Sequence, residues 1–144
     1  MLISTKGRYA LRVLLELAEH NDGSYMTLMD IAGRQEISDK YLESIIGILS
    51  RAGYVKAVRG RGGGYKLARP AETYTVGSIL KLTEGSLASV SCLGTEQNGC
   101  SRAGQCKTLP LWTKLDQLVN DFLESITLAD LLQENTGSEA DIKV

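Results

Sequence analysis

Residues 54–68 read Tyr54-Val55-Lys56-Ala57-Val58-Arg59-Gly60-Arg61-Gly62-Gly63-Gly64-Tyr65-Lys66-Leu67-Ala68. Alternation and β-branched content make 54–58 one strand and 64–68 its partner. The turn between them, Arg59 to Gly63, holds only glycine and arginine. As an ordinary solvated turn it leaves its arginines unexplained; as a hairpin built to meet a polyanion it accounts for them. Residues 51–69 extend the pattern, carrying Arg51, Lys56, Arg59, Arg61, Lys66 and Arg69 with no Asp or Glu.

Upstream, Ser38 caps a helix whose apolar stripe is Tyr41, Leu42, Ile45, Ile46, Leu49 and Ala52, and Gly53 stops it. Before it, Thr27-Leu28-Met29-Asp30 has the form of a capping box and opens a short helix through Ile31, Ala32 and Arg34. Earlier still, residues 7–20 set Ala10, Leu11, Leu14, Leu15, Leu17 and Ala18 at helical spacing, with Arg8, Arg12, Glu16 and Glu19 opposite. Helix, short helix, longer helix and basic hairpin are the layout of a winged helix-turn-helix. The expected fold is therefore mainly α, with a small β-hairpin wing.

Downstream of Arg69-Pro70, Thr75 caps a helix through Val76, Ile79, Leu80 and Leu82 that ends at Gly85. Pro110 then serves as a first-turn proline for a long helix with the stripe Leu111, Leu115, Leu118, Val119, Phe122 and Leu123. Such a stripe must bury against something, and a second copy of the chain is the usual answer, so this is read as a dimerisation helix. Thr127 to Asp130 forms another capping box, opening a helix to Leu132. The expected division is a DNA-binding domain at 1–70, a linker helix, cysteine loop and dimerisation helices at 71–134, and a disordered tail at 135–144.

The formal net charge of −1 conceals an asymmetry: residues 1–70 hold eleven Lys/Arg against seven Asp/Glu, and residues 71–144 hold five against ten. The first part is suited to double-stranded DNA. With no secretory apolar region and no apolar run near eighteen residues, the expected location is cytoplasmic, with no membrane partner.

Cys92, Cys100 and Cys106 are the only cysteines and lie within fifteen residues, among Gly, Thr, Glu, Gln, Asn, Ser and Arg. That segment is too polar for a core strand, which speaks against core packing, although three clustered thiols without a shared role stay an open alternative. Three thiols on a glycine-punctuated loop suit a metal or iron-sulfur centre; zinc would accept three thiolates and a fourth donor, and bare thiols could sense oxidants. An enzyme is not expected, since the chain has no C-x-x-C pair, no dinucleotide or phosphate loop, and no histidine near the thiols.

The run Ser4-Thr5-Lys6-Gly7-Arg8-Tyr9-Ala10-Leu11, the turn Val58 to Tyr65, and the cysteine trio followed by Leu111-Trp112 resemble the IscR/NsrR/CymR family of bacterial winged-helix regulators, over residues 1–134. The resemblance implies a homodimeric transcription regulator with crossing C-terminal helices, each wing and recognition helix meeting half of a palindromic operator. Its IscR-like branch implies a repressor that senses iron-sulfur status through a cluster, usually [2Fe-2S], held here by Cys92, Cys100 and Cys106. Two departures stand out. The first gap, Leu93 to Gly99, is longer than the IscR-like one, and the histidine that supplies the fourth ligand three residues after the last cysteine is Leu109 here. Other branches take ligands from the first helix, at the positions of Arg8 and Arg12, which cannot coordinate iron. His20 lies roughly 18 Å beyond Arg8 at ~1.5 Å per residue. Glu84, Ser91, Glu96, water or an external thiol stay open as the fourth donor.

On the helix from Ser38, the candidates for base and phosphate contact are Ser38, Lys40, Tyr41 and Glu43. Lys40 suits phosphate or guanine; Glu43 can accept from cytosine or repel unsuitable sequences. Tyr41 is an operator residue by resemblance and a core residue by periodicity. On the hairpin, Arg59 matches the family's minor-groove arginine, while Arg61 and Lys66 suit phosphate.

Overall fold

A computed structural model describes residues 2–94 and 100–134. The helices are α1 (Thr5–Glu19), α2 (Leu28–Gln35), α3 (Asp39–Arg51), α4 (Val76–Glu84), α5 (Leu109–Glu124) and α6 (Leu128–Glu134). The strands are β1 (Val55–Val58) and β2 (Gly64–Leu67), and short 3-10 turns occupy Ala71–Thr73 and Ser91–Leu93. The fold is the winged helix-turn-helix read from the sequence: mainly helical, with a two-stranded antiparallel hairpin.

Start signals act where the residues place them. Thr27, Ser38 and Thr75 each accept a backbone N–H in the first turn of α2, α3 and α4, and Ser4 does so for α1, which starts at Thr5 rather than at the residue 7 expected from periodicity. At α6 the box closes in both directions, Thr127 N–H to Asp130 Oδ2 at 3.0 Å and Asp130 N–H to Thr127 Oγ1 at 3.1 Å. Such caps contribute about 1 kcal/mol each.

The hairpin pairs Val55 with Leu67 and Val58 with Gly64. Its second strand also bridges to Met26 through two backbone bonds of 2.8 and 2.7 Å. Gly64 allows this approach: at φ +140° a Cβ there would meet the Met26 carbonyl at 2.2 Å. The base of the hairpin is held by a residue from beyond Pro70. Tyr74 is fully buried; its hydroxyl donates to Tyr54 O at 2.6 Å and accepts from the Ala68 and Arg69 N–H groups.

One core unites both sides of Pro70. Leu14 and Val13 of α1 join Ile31, Leu42, Ile45 and Leu49, from before Pro70, with Tyr74, Ile79 and Leu128, from after it. Each such side chain stabilises by about 1.5–3 kcal/mol on burial. α1 is the central rod, packed against α2, α3, β2, α4 and α6. α5 differs: none of its residues is buried, and Leu111, Leu118 and Phe122 are 58%, 57% and 41% exposed. No helix among the described residues is long and apolar enough to cross a membrane. The tail at 135–144 lies outside the described residues.

Candidate nucleic-acid interface and thiol loop

α3 presents Ser38, Asp39, Lys40, Glu43 and Ser44 to solvent and turns Leu42, Ile45 and Ile46 into the core. Ser38 Oγ already accepts the Tyr41 N–H at 3.2 Å, which leaves its hydroxyl proton available as a donor. Tyr41 is half-buried, its ring edge-on to Tyr9 with centroids 5.7 Å apart, so it combines the packed and the surface roles.

Between α3 and the hairpin runs a groove of about 480 Å³, lined among others by Glu43, Gly47 and Ser50 of α3 and by Val58, Arg59 and Gly60. Glu43 and Arg59 thus face one space. Arg61 is exposed at the tip, where Gly63 N–H closes the turn onto Gly60 O at 3.0 Å. Lys66 is elsewhere. Ala57 and Tyr65 point to the groove, so the alternate pair Lys56 and Lys66 points to the opposite hairpin face. There the Lys66 ammonium lies 4.8 Å over the Tyr25 ring.

A polar chain on α1 had no signal in the apolar periodicity. Glu16, expected on the solvent side, is only 7% exposed. It earns its place through partners: Gln35 Nε2 donates to Glu16 Oε1 at 3.1 Å, and His20 Nδ1 lies 3.3 Å from Oε2. Gln35 Oε1 in turn accepts from Arg12 Nε at 2.9 Å. A carboxylate among Val13, Leu14 and Leu17 needs such satisfaction, and the i, i+4 pairing with His20 was the one available hint.

The thiols lie between α4 and α5. Cys92 is half-buried on the turn Ser91–Leu93, Cys100 is exposed, and Cys106 is half-buried two residues before Thr108. No disulfide joins them. Cys106 Sγ is 3.3 Å from Thr108 Oγ1, and hydrogen bonds from the Thr108 side chain, then its backbone, hold this thiol below the ordinary thiol range. A soft donor set of this kind fits iron or zinc at three positions, although among the described residues no three His, Cys, Asp or Glu side chains are gathered to hold a metal ion.

Of the side chains left open as a fourth donor, Glu84 is engaged. Glu84 Oε1 accepts from Ser4 N–H at 3.0 Å and from Ser4 Oγ–H at 2.6 Å. Arg8 bonds Thr5, Arg12 bonds Gln35 and His20 bonds Glu16. Leu109 opens α5, Ser91 is exposed, and Glu96 lies outside the described residues.

Comparison with known proteins places the chain in a family of transcription regulators. The Rrf2 family model, described as an iron-dependent transcriptional regulator, matches residues 3–134. The HTH-type transcriptional regulator IscR of Vibrio vulnificus is 38% identical over 135 residues, covering 94% of this chain and 79% of that protein. The structure of T. potens IscR superposes with a TM-score of 0.76 at 36% identity, covering 100% of this chain and 93% of its own. That of CymR, the global cysteine regulator of B. subtilis, has a TM-score of 0.73 at 34% identity, covering 91% and 95%.

Proposed function

Because the chain belongs to the Rrf2 family of transcriptional regulators, whose members are not enzymes, we propose that it is a homodimeric repressor of a palindromic operator whose DNA affinity follows an iron-sulfur cluster, of [2Fe-2S] type, held by Cys92, Cys100 and Cys106. The observation that supports this reading is that all three cysteines fall, along the chain, on the one segment between α4 and α5. When bound, such a cluster supplies one-electron redox chemistry and a dependence on iron supply.

The chain's own residues provide the coupling. α4 ends at Glu84, which grips Ser4 at the start of α1, and α1 packs against α2 and α3. Ordering the thiol segment biases α4, α4 biases α1, and α1 biases the α3–hairpin groove. At the operator, Lys40 and Arg61 neutralise phosphate, Ser38 and Tyr41 offer hydroxyls to base edges, and, from the groove, Glu43 filters sequence and Arg59 enters a narrowed minor groove. Lys66, on the other hairpin face, meets phosphate only through flanking duplex.

The test is anaerobic purification with iron and sulfide counted per chain and binding to a library-selected operator measured with and without the cluster. About two irons and two sulfides are expected, and Cys→Ala at any of the three positions should abolish retention. Full zinc occupancy without iron uptake would replace the cluster by a zinc site.

A second reading rests on Cys106, whose contact with Thr108 favours the thiolate, and on the likeness to a cysteine regulator. In that case metal-free protein binds the operator, and loses it reversibly on oxidation.

A further inference from the structure

Arg12 sits where other branches of the resembling family place a cluster ligand, and here it does something different. Its Nε donates to Gln35 Oε1 at 2.9 Å and its Nη2 to the Gln35 backbone carbonyl. The guanidinium also lies 4.9 Å from the centre of the Tyr9 ring. A planar fork with fixed donors on separate nitrogens matches these three contacts together, whereas an ammonium offers all its donors from a single atom.

Each contact leads toward α3. Gln35 is the last residue of α2, and the next residue, Glu36, is the only non-glycine residue with positive φ among those described, at +55°. A left-handed glutamate is unfavourable unless its surroundings hold it. The Arg12 grip on the carbonyl of Gln35 anchors the chain immediately before that residue, and Ser38 starts α3 two residues after it. The second path runs through Tyr9, whose ring meets Tyr41 of α3 edge to face, at an interplanar angle of 71°. The Gln35 amide is itself oriented, its oxygen toward Arg12 and its nitrogen toward the buried Glu16.

We propose that Arg12 is a positioning residue for DNA reading: through Gln35 it fixes the turn from which α3 departs, and through Tyr9 it fixes the ring of Tyr41. This rests on the reading that α3 enters the operator. Arg12 touches no base in this role; it sets the angle and the side-chain pose with which Tyr41 and its neighbours arrive.

The experiment uses the full chain as the wild type, Arg12→Lys and Gln35→Met. Affinity is measured for an operator selected from a random library and for random duplex. Melting temperature and backbone amide exchange of the free protein are recorded alongside. Arg12→Lys should lower the operator-to-random preference by about tenfold, on the order of one lost base contact, while random-duplex affinity and its salt slope stay within about twofold because the charge is kept. Gln35→Met should reproduce the loss of preference, and it serves alone if Arg12→Lys does not fold. In the free protein, amide exchange should accelerate across residues 36–42 and not across α1. An unchanged preference, or equal losses on operator and random duplex, overturns the proposal. If the wild type prefers no duplex at all, the DNA-reading function falls and the positioning role is judged by exchange alone: acceleration confined to 36–42 upholds it, and uniform or absent acceleration overturns it.

Discussion

At the residue scale, Glu43 and Arg59 are informative because they line one groove with opposite charge. If Arg59 enters a minor groove, Arg59→Ala should weaken the selected operator more than random duplex, since groove width depends on sequence. A loss of about 1–3 kcal/mol on the operator is expected. Glu43→Ala should do the reverse, tightening poor sites and relaxing discrimination, because the carboxylate repels phosphate wherever its base partner is missing. Competition binding with both duplexes separates the two; parallel losses for both variants would contradict the assignment. These residues were legible in the sequence because a glycine-arginine turn and a capped amphipathic helix are local signals. The chain Arg12, Gln35, Glu16 and His20 was not. Its members lie on two helices, and periodicity assigns a charged residue such as Glu16 to solvent unless the partner that satisfies it is known.

At the scale of elements, two carboxylates tie helices that are distant in sequence. Glu124 of α5 accepts from Lys81 of α4 at 3.0 Å and from Thr75 at 2.9 Å, and the Lys81 bond, then that of Thr75, holds its carboxyl below the usual range. A depressed carboxyl contributes stability above its unfolded value, about 4.3, and loses that contribution as pH falls through the folded value. Because Lys81 and Glu124 are 45% and 36% exposed, solvent screens the pair and its worth is less than about 1 kcal/mol. Melting of wild type and Glu124→Gln at pH 7, 5 and 3 should show a small difference that closes on acidification; a difference that widens would refute the linkage. Glu84→Ala should cost more, about 1–3 kcal/mol, since it strips the Ser4 N–H and hydroxyl of their acceptor at the start of α1. Helix starts were readable because a cap and its partner are three residues apart. Ser4 and Glu84 are eighty apart, and no periodicity connects them. Tyr74 escaped for the same reason: its role as the clasp of the hairpin is set by acceptors on Tyr54 and donors at Ala68 and Arg69.

At the scale of the molecule, α5 is the unfinished part. The stripe Leu111, Leu115, Leu118 and Phe122 was expected to bury, yet within one chain these residues are 58%, 39%, 57% and 41% exposed while the rest of the core is closed. An exposed apolar row of this kind marks an interaction surface, and the reading as a homodimer supplies a second copy of α5 to cover it. Each apolar side chain covered there contributes about 1.5–3 kcal/mol, enough for micromolar or tighter association once several are combined and the cost of association is subtracted. Light scattering of the wild type should then give about twice the chain mass of 15.6 kDa. Leu118→Asp and Phe122→Asp place a charge where no partner exists and should give monomers. The fold should survive in those monomers, since neither side chain belongs to the buried core, and circular dichroism checks this. Operator affinity should fall steeply in both variants, because each half-site would then be bound without its twin, while contact with a single half-site by one α3 and one wing persists. A wild type that stays monomeric at micromolar concentration would remove the homodimer, and with it the palindromic operator, from the proposed function.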